Sequence, residues 1–271
     1  MEKAVRFVRT LVKEVMKDDM FSLANELTYK LLLAIFPFVI FLMTIIGFLQ
    51  IKLDTSALLA QASYTLPMQV TEILGVFLKE ISTDTSVPLL SGSLLVSIWS
   101  SSSGFNAVIR GINKAYGQKE TRGFIRVRAI SVGLVFLFAV GLILSLLLLI
   151  YSKSIITFLA KYWEFPFHSI ALANYIGSII LIVLLLIMTM VIYKVASCKR
   201  ISFTSVLPGA CVTVFFWLLA SKLYSVYVNN FSKHSAVYGS IGSVFILMIW
   251  LNLISALLLL GSEINALLRV E

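Results

Sequence analysis

Long runs of apolar residues dominate the pattern of hydrophobic and polar positions along this chain. Between Leu31 and Ile51 only Thr44 and Gln50 interrupt the apolar sequence, and a helix of about this length spans the roughly 30 Å of hydrocarbon in a bilayer. Similar runs occupy about 129–151, 170–193, 203–228 and 240–268. We predict a transmembrane helix in each, the first over about 31–52.

The segment 89–109 is a weaker candidate because serines dilute its apolar residues. The distribution of charge supports it as a span. If it crosses and the N-terminus is cytoplasmic, most of the 22 lysines and arginines fall on the cytoplasmic side, as the positive-inside rule requires. We therefore predict a single transmembrane domain over residues 1–271, with six spans and both termini cytoplasmic.

Two segments outside the spans have amphipathic patterns. In the first, Val5, Val8 and Val12 fall on one helical face and Arg6 and Arg9 on the other, which predicts a helix lying in the membrane interface. In the second, residues 54–87 are too polar to cross, and Thr65-Leu66-Pro67 predicts the start of a helix in a loop outside. The expected fold class is an all-α polytopic membrane protein.

Composition and charge narrow the functional classes. Of the 271 residues 59% are hydrophobic and 13% charged, whereas soluble proteins are roughly a quarter charged. The net charge of +9 has two common explanations, a polyanion such as RNA or basic cytoplasmic loops, and the topology accounts for it without nucleic acid. Cys198, Cys211, His168 and His234 lack the spacing of metal ligands, so we predict neither metal nor cofactor.

The serine-rich segment has a face of small residues. Ser93, Ser97, Ser100 and Gly104 share one face at helical spacing, and Ser101 extends it. Small residues permit close helix packing, and this is the simpler interpretation. The alternative is a polar groove that guides a lipid headgroup while the acyl tails stay in the bilayer. Along this path Asn106 would continue the polar lining and Arg110 would attract phosphate at the cytoplasmic mouth.

Glu263 lies within the last predicted span, with Asn252 and Asn265 near it in sequence. A carboxylate at membrane depth is costly enough to be a functional candidate. Three interpretations stay open: a position near the cytoplasmic interface, a structural ion pair with Arg110, and a role in transport.

Prolines and glycines mark candidate hinges. Helix packing and proline kinks explain such residues most simply, and a hinge between moving halves is the alternative. The hinge candidates are Pro37, Pro208, Gly209, Gly239 and Gly242.

Three segments together resemble one known family. They are residues 24–29 (ANELTY) leading into Phe36-Pro37, residues 105–116 (FNAVIRGINKAY), and residues 238–242 (YGSIG) through Trp250 to 260–266 (LGSEINA). In this order they resemble the YihY/BrkB family of bacterial inner-membrane proteins, long labelled ribonuclease BN. The resemblance implies a location in the bacterial cytoplasmic (inner) membrane and a part in virulence or envelope lipid transport.

Three functional hypotheses follow. The first is a transporter that moves a phospholipid or another envelope amphiphile, with anionic phospholipids as the expected partners. The others are an ion-coupled small-solute transporter and a non-transport envelope scaffold, for which envelope proteins or a second copy would be partners. A ribonuclease is disfavoured because no cluster of metal-binding carboxylates is present, so we predict no enzyme. The chain also lacks a P-loop, which excludes ATP-driven pumping by this chain alone.

Overall fold

The computed structural model describes residues 2–48, 75, 90–162, 170–231 and 239–270, and every regular element in them is an α-helix. This confirms the predicted all-α fold class. The helices are α1 (Glu2–Lys17), α2 (Met20–Phe48), α3 (Leu90–Ala115), α4 (Phe124–Tyr162), α5 (Ile170–Ala196), α6 (Phe203–Phe231) and α7 (Gly239–Val270).

In the described residues the predicted spans fall on α2 to α7, and α2 and α4 extend furthest beyond their apolar runs. Helix α4 continues to Tyr162. Helix α2 begins at Met20 because Met20, Ala24 and Leu27 are buried against the bundle, while Asn25 and Glu26 lie on its exposed face. Tertiary packing therefore extends the helix through a polar stretch.

Four helical stretches in the described part of the chain are long and apolar enough to cross a membrane: Phe124–Ser145, Gly177–Ala196, Phe203–Tyr224 and Val244–Arg269. The number of crossings, the boundaries of the transmembrane domain and the side on which the termini lie stay predictions. The helix predicted in the loop 54–87 lies, apart from residue 75, outside the described residues, as do His168 and His234.

Helices α2 to α7 form a ring in chain order. Each packs against the next, and α7 returns to α2. Helix α3 also contacts α5 and α7, which places it toward the middle. Helices α2, α4 and α6 begin, and α3, α5 and α7 end, at the same end of the bundle, as the contacts between Asn113 and Cys198 and between Gly209 and Asn265 show. We call this the basic end; it carries Arg110, Lys114, Lys119, Arg122, Arg126, Lys199, Arg200 and Arg269.

Helix α1 lies across the basic end and meets α7 and α2. The chain turns between α1 and α2 at Asp19, whose φ of 51° is in the left-handed region. Val15 packs against the bundle, but Val5, Val8 and Met16 are exposed by 64%, 56% and 73%. The bundle thus leaves the apolar face of α1 uncovered, as an interfacial helix requires.

Candidate functional site

One face of α3 is open to the surroundings of the bundle. Trp99 and Arg110 are exposed on it, and Ser103 and Asn106 lie between them, half-buried. Their spacing of three or four residues puts them in one row. We call these four residues the polar strip. Helix α2 flanks it at Glu26, which contacts Arg110, and α4 flanks it at Arg128, which contacts Trp99.

Near the basic end, two cations of the site share one carboxylate. Arg110 Nη2 and Lys30 Nζ each lie 2.5 Å from Oε1 of Glu26. The hydrogen bond from Lys30 and the charge of Arg110 hold the pKa of Glu26 below its ordinary value, although burial acts in the opposite direction. With two cations and one anion, this group keeps a surplus positive charge.

At the other end of the polar strip, Arg128 reaches over from α4. Its guanidinium carbon lies 3.7 Å from the centroid of the Trp99 ring, and Nη2 donates to the Trp99 carbonyl oxygen over 2.5 Å. Its Nε is buried without a hydrogen-bond partner in the described residues. No carboxylate in that part of the chain forms an ion pair with Arg128.

The described part of the serine-rich face of α3, from Ser100 to Gly104, turns into the bundle. Ser101 is buried and its Oγ has no partner in the described residues, while Ser100 is half-buried. At Gly104 a Cβ would lie 3.3 Å from Leu31 and 3.4 Å from Ala34 of α2, so this face packs tightly.

The structure therefore divides the predicted headgroup path. Ser101 and Gly104 face the bundle, whereas Asn106 and Arg110 belong to the exposed row, because a helix turns by about 100° per residue. The side chains of Ser93 and Ser97 lie outside the described residues. A path along α3 can follow the polar strip without the buried serines.

The predicted ion pair between Arg110 and Glu263 is wrong, because Arg110 binds Glu26 of α2. Helix α7 meets α3 at Gly111, where a Cβ would run into Leu259. Gly111 is one residue further along α3 and therefore lies on a different side of the helix from Arg110.

Glu263 faces α1 instead. Its side chain is buried with 2% exposure, and Oε1 has no partner in the described residues. It interacts with the Asp18 carboxyl group and with the charges of Glu14 and Lys17. Carboxyl groups this close repel each other when both are ionised, so the docking of α1 depends on how these charges are balanced.

Asn265 joins α7 to α6. Its Oδ1 accepts a hydrogen bond of 2.7 Å from the Gly209 N–H, next to Pro208, which has no N–H and crowds the preceding turn. A Cβ on Gly209 would overlap the Gly261 carbonyl oxygen and Asn265. Two of the hinge candidates thus lie where the α6 and α7 backbones touch. A hinge movement there stays a prediction.

The remaining hinge candidates lie within helices. Helix α2 runs through Pro37 without interruption, and Gly239 and Gly242 are in the first turn of α7. Asn252 lies further along α7 and donates from Nδ2 to Asn25 Oδ1 over 2.8 Å and to Thr28 Oγ1 over 3.1 Å. The three polar residues predicted together on α7 therefore bind three different helices: Asn252 meets α2, Asn265 meets α6 and Glu263 meets α1.

A buried hydroxyl pair continues the α6–α7 contact, and the sequence analysis missed it. Tyr193 of α5 donates to the Leu258 carbonyl oxygen and lies 2.7 Å from Thr213 Oγ1. A Cβ on Gly261 would overlap both hydroxyl groups. A glycine amid large apolar residues was the available sign of this close approach.

A second group of polar contacts that the sequence did not reveal joins the α3–α4 loop to the α5–α6 loop. Arg122 bonds to Glu120 and donates to the Ala196 carbonyl oxygen over 2.7 Å, which satisfies the end of α5. Asn113 donates to Glu120 and accepts the Cys198 N–H over 2.8 Å. We call Asn113, Glu120 and Arg122 the loop clamp. The hydrogen bond from Arg122 holds the pKa of Glu120 below its ordinary value against the effect of burial.

Comparison with known proteins fits this membrane architecture. The protein YfkH of Bacillus subtilis (strain 168), named as ribonuclease-like, is 33% identical over 265 residues, which cover 97% of this chain and 95% of that protein. A UPF0761 membrane protein of Pseudoalteromonas atlantica (strain T6c / ATCC BAA-1087) is 24% identical over 277 residues, with 99% of this chain and 87% of the relative covered. No solved structure matches significantly.

The sequence model of the family described as Virulence factor BrkB matches residues 11–271 of this chain. This match takes in every helix from α2 to α7 and the second half of α1. With the apolar helices described above, it establishes that the chain is a membrane protein that belongs to the virulence factor BrkB family.

Proposed function

We propose that this protein moves a phospholipid or a related envelope amphiphile across or along the bacterial cytoplasmic membrane, and that it is not an enzyme. The observation that carries the proposal is the polar strip. Polar side chains on an outward face of a membrane helix are unfavourable against acyl chains. Ser103 Oγ already donates to the Ser100 carbonyl oxygen and Arg110 is paired with Glu26, whereas Asn106 has no partner among the described residues. A lipid headgroup that moves along the strip would satisfy Asn106 while its tails remain in the bilayer.

The charges near the strip favour an anionic headgroup. Glu26 neutralises only one of its two cations, Arg110 and Lys30, and Lys114 is exposed one turn beyond Arg110. Guanidinium groups bind phosphate with two parallel hydrogen bonds. Arg110, Lys30 and Lys114 would therefore draw the phosphate of an anionic lipid to the strip.

The lateral opening supports a lipid more than a small solute. A solute path would favour a closed central cavity, whereas the strip lies on the outside of α3 between α2 and α4. The ion-coupled solute transporter keeps one observation in its favour, the buried and unpartnered Oε1 of Glu263. The scaffold hypothesis depends on the loop 54–87, which is outside the described residues apart from residue 75.

The name of YfkH raises ribonuclease activity as another alternative. The groups at the strip do not favour it. General acid–base catalysis needs a group free to exchange a proton with the substrate, and the one carboxylate beside the strip, Glu26, is bound by two cations.

The test is a lipid-accessibility assay in proteoliposomes that contain a fluorescent phosphatidylglycerol and a membrane-impermeant quencher. We expect the wild type to speed exchange between leaflets, and Arg110→Ala and Asn106→Leu to slow it by about tenfold. Arg200→Ala is the matched control, since Arg200 is an exposed cation in the α5–α6 loop, and it should exchange lipid at the wild-type rate. Wild-type vesicles no faster than empty ones would contradict the proposal.

A further inference from the structure

Arg128 lies in the second turn of α4, which begins at the basic end, and its guanidinium group reaches Trp99 of α3. Trp99 is near the middle of the predicted span 89–109, and it lies about 16 Å along the helix from Arg110 at 1.5 Å per residue. Arg128 itself belongs to the apolar stretch Phe124–Ser145. A charge at this depth marks a functional site unless the protein supplies a partner.

The protein supplies only part of what this guanidinium needs. Two arginines in the described part of the chain are paired with carboxylates: Arg110 with Glu26 and Arg122 with Glu120. Arg128 has the Trp99 ring and one carbonyl oxygen. In the described part of the chain its Nε is unpartnered and no carboxylate pairs with it. An anion from outside the chain would complete the site.

The surface around Trp99 shows what kind of anion fits. On the side toward the basic end, the strip is polar at Ser103 and Asn106. On the other side, Leu95 and Val96 are exposed by 70% and 64%. The face of α3 therefore changes from polar to apolar at Trp99, as the surface of an amphiphile does between headgroup and tails.

We propose that Arg128, stacked on Trp99, binds the phosphate of an anionic phospholipid whose acyl chains lie against Leu95 and Val96. This inference rests on the proposed function and adds a defined headgroup site within the membrane. Trp99 holds the guanidinium by a cation–π contact. The N–H groups of the two Nη atoms that do not bond to Trp99 then face the phosphate, whereas the buried Nε does not; the planar guanidinium group of arginine is suited to phosphate.

Binding is measured on the purified full-length chain in detergent, with short-chain phosphatidylglycerol as the probe and phosphatidylcholine and inorganic phosphate as comparisons. We expect Arg128→Gln to weaken phosphatidylglycerol binding by about tenfold and Arg128→Lys to weaken it less, since lysine keeps the charge but loses the fork. Arg126→Gln is the matched control, because Arg126 is an exposed arginine on the same turn. Its affinity should stay within about twofold of the wild type.

Thermal unfolding of each variant checks its fold, and Trp99→Leu provides a second variant that keeps Arg128 and should weaken binding several-fold. Equal wild-type binding of phosphatidylglycerol and phosphatidylcholine, or unchanged binding in Arg128→Gln, would overturn the inference. Inorganic phosphate that competes as well as the lipid would overturn the assignment to a lipid.

The failures of the two proposals are distinguishable. Binding through Arg128 without faster leaflet exchange would remove the transport function and leave the headgroup site. If the wild type speeds leaflet exchange but Arg128→Gln leaves phosphatidylglycerol binding unchanged, the headgroup site at Arg128 is wrong and the transport function stands.

Discussion

At the α6–α7 contact, Asn265 Oδ1 accepts the Gly209 N–H and Tyr193 donates to the Leu258 carbonyl oxygen, although Asn265 Nδ2 is buried there without a hydrogen-bond partner among the described residues. On the polar strip of α3, Asn106 has no protein partner among the described residues, and Arg128 of α4, which flanks the strip, has no carboxylate partner among them. Internal hydrogen bonds stabilise helix contacts because their alternative in lipid is an unsatisfied group. Groups without such bonds on an open face remain available to a ligand. The first region is built for stability, the second for binding.

The largest loss of stability should come from a variant that inserts a side chain between α6 and α7. Gly261→Leu would place atoms where Thr213, Tyr193 and the Gly209 backbone already lie, so the two helices must separate. We expect loss of nearly all monodisperse protein in size-exclusion chromatography. Gly133→Leu is the control, since a Cβ at Gly133 meets nothing within 4 Å; a normal yield of Gly261→Leu would show that this contact is not tight.

A medium loss of stability is expected when the loop clamp is broken, and this loss should depend on pH. The hydrogen bond from Arg122 lowers the pKa of Glu120 in the folded state. The ionised carboxylate therefore adds its full contribution to the free energy of unfolding above the ordinary pKa of about 4.5, and this contribution is lost as the pH falls through the folded-state pKa. Glu120→Gln should cost about 2 kcal/mol at pH 7. The difference from the wild type should shrink in acid.

Thermal unfolding in detergent at pH 7 and at pH 3.5 measures this difference. Lys119→Gln provides the control because Lys119 is an exposed neighbour in the same loop, and it should leave unfolding nearly unchanged. A difference between Glu120→Gln and the wild type that grew in acid would contradict the role given to the carboxylate.

The smallest effect separates two asparagines. Asn252→Ala removes two hydrogen bonds to α2 and should cost about 1 kcal/mol of stability. Asn106→Ala removes a side chain with no protein partner among the described residues, so it should slow lipid exchange without changing thermal unfolding. Equal thermal losses in both variants would remove the distinction between the bonded and the open regions.

Much of the fold could be predicted from the sequence, because it depends on local physics. The long apolar runs predicted helices α4 to α7, and the alternation of Val5, Arg6, Val8 and Arg9 predicted an amphipathic α1. The same rules missed the start of α2, since Asn25 and Glu26 are polar and only contacts with α3 and α7 explain why the helix continues there.

The site could be predicted only as a list of unusual residues. Arg110, Glu263, Asn252 and Asn265 were chosen because polar groups in apolar helices need partners. Arg110 and Asn252 have partners in the structure, whereas Glu263 Oε1 and Asn265 Nδ2 are buried without one among the described residues. The one pairing considered from the sequence, Arg110 with Glu263, does not occur. Arg110 binds Glu26, and Arg128, which counted in the sequence only toward the charge of the loops, lies on Trp99.

The sequence by itself determined where helices form and which side chains are costly in a membrane, because hydrogen bonding and apolar burial within one helix depend on neighbours a few residues away. Only the tertiary structure decided which polar groups meet. That choice depends on the rotation of each helix about its axis and on its neighbours in the ring, and a turn of about 100° per residue separates Arg110, which meets α2, from Gly111, which meets α7.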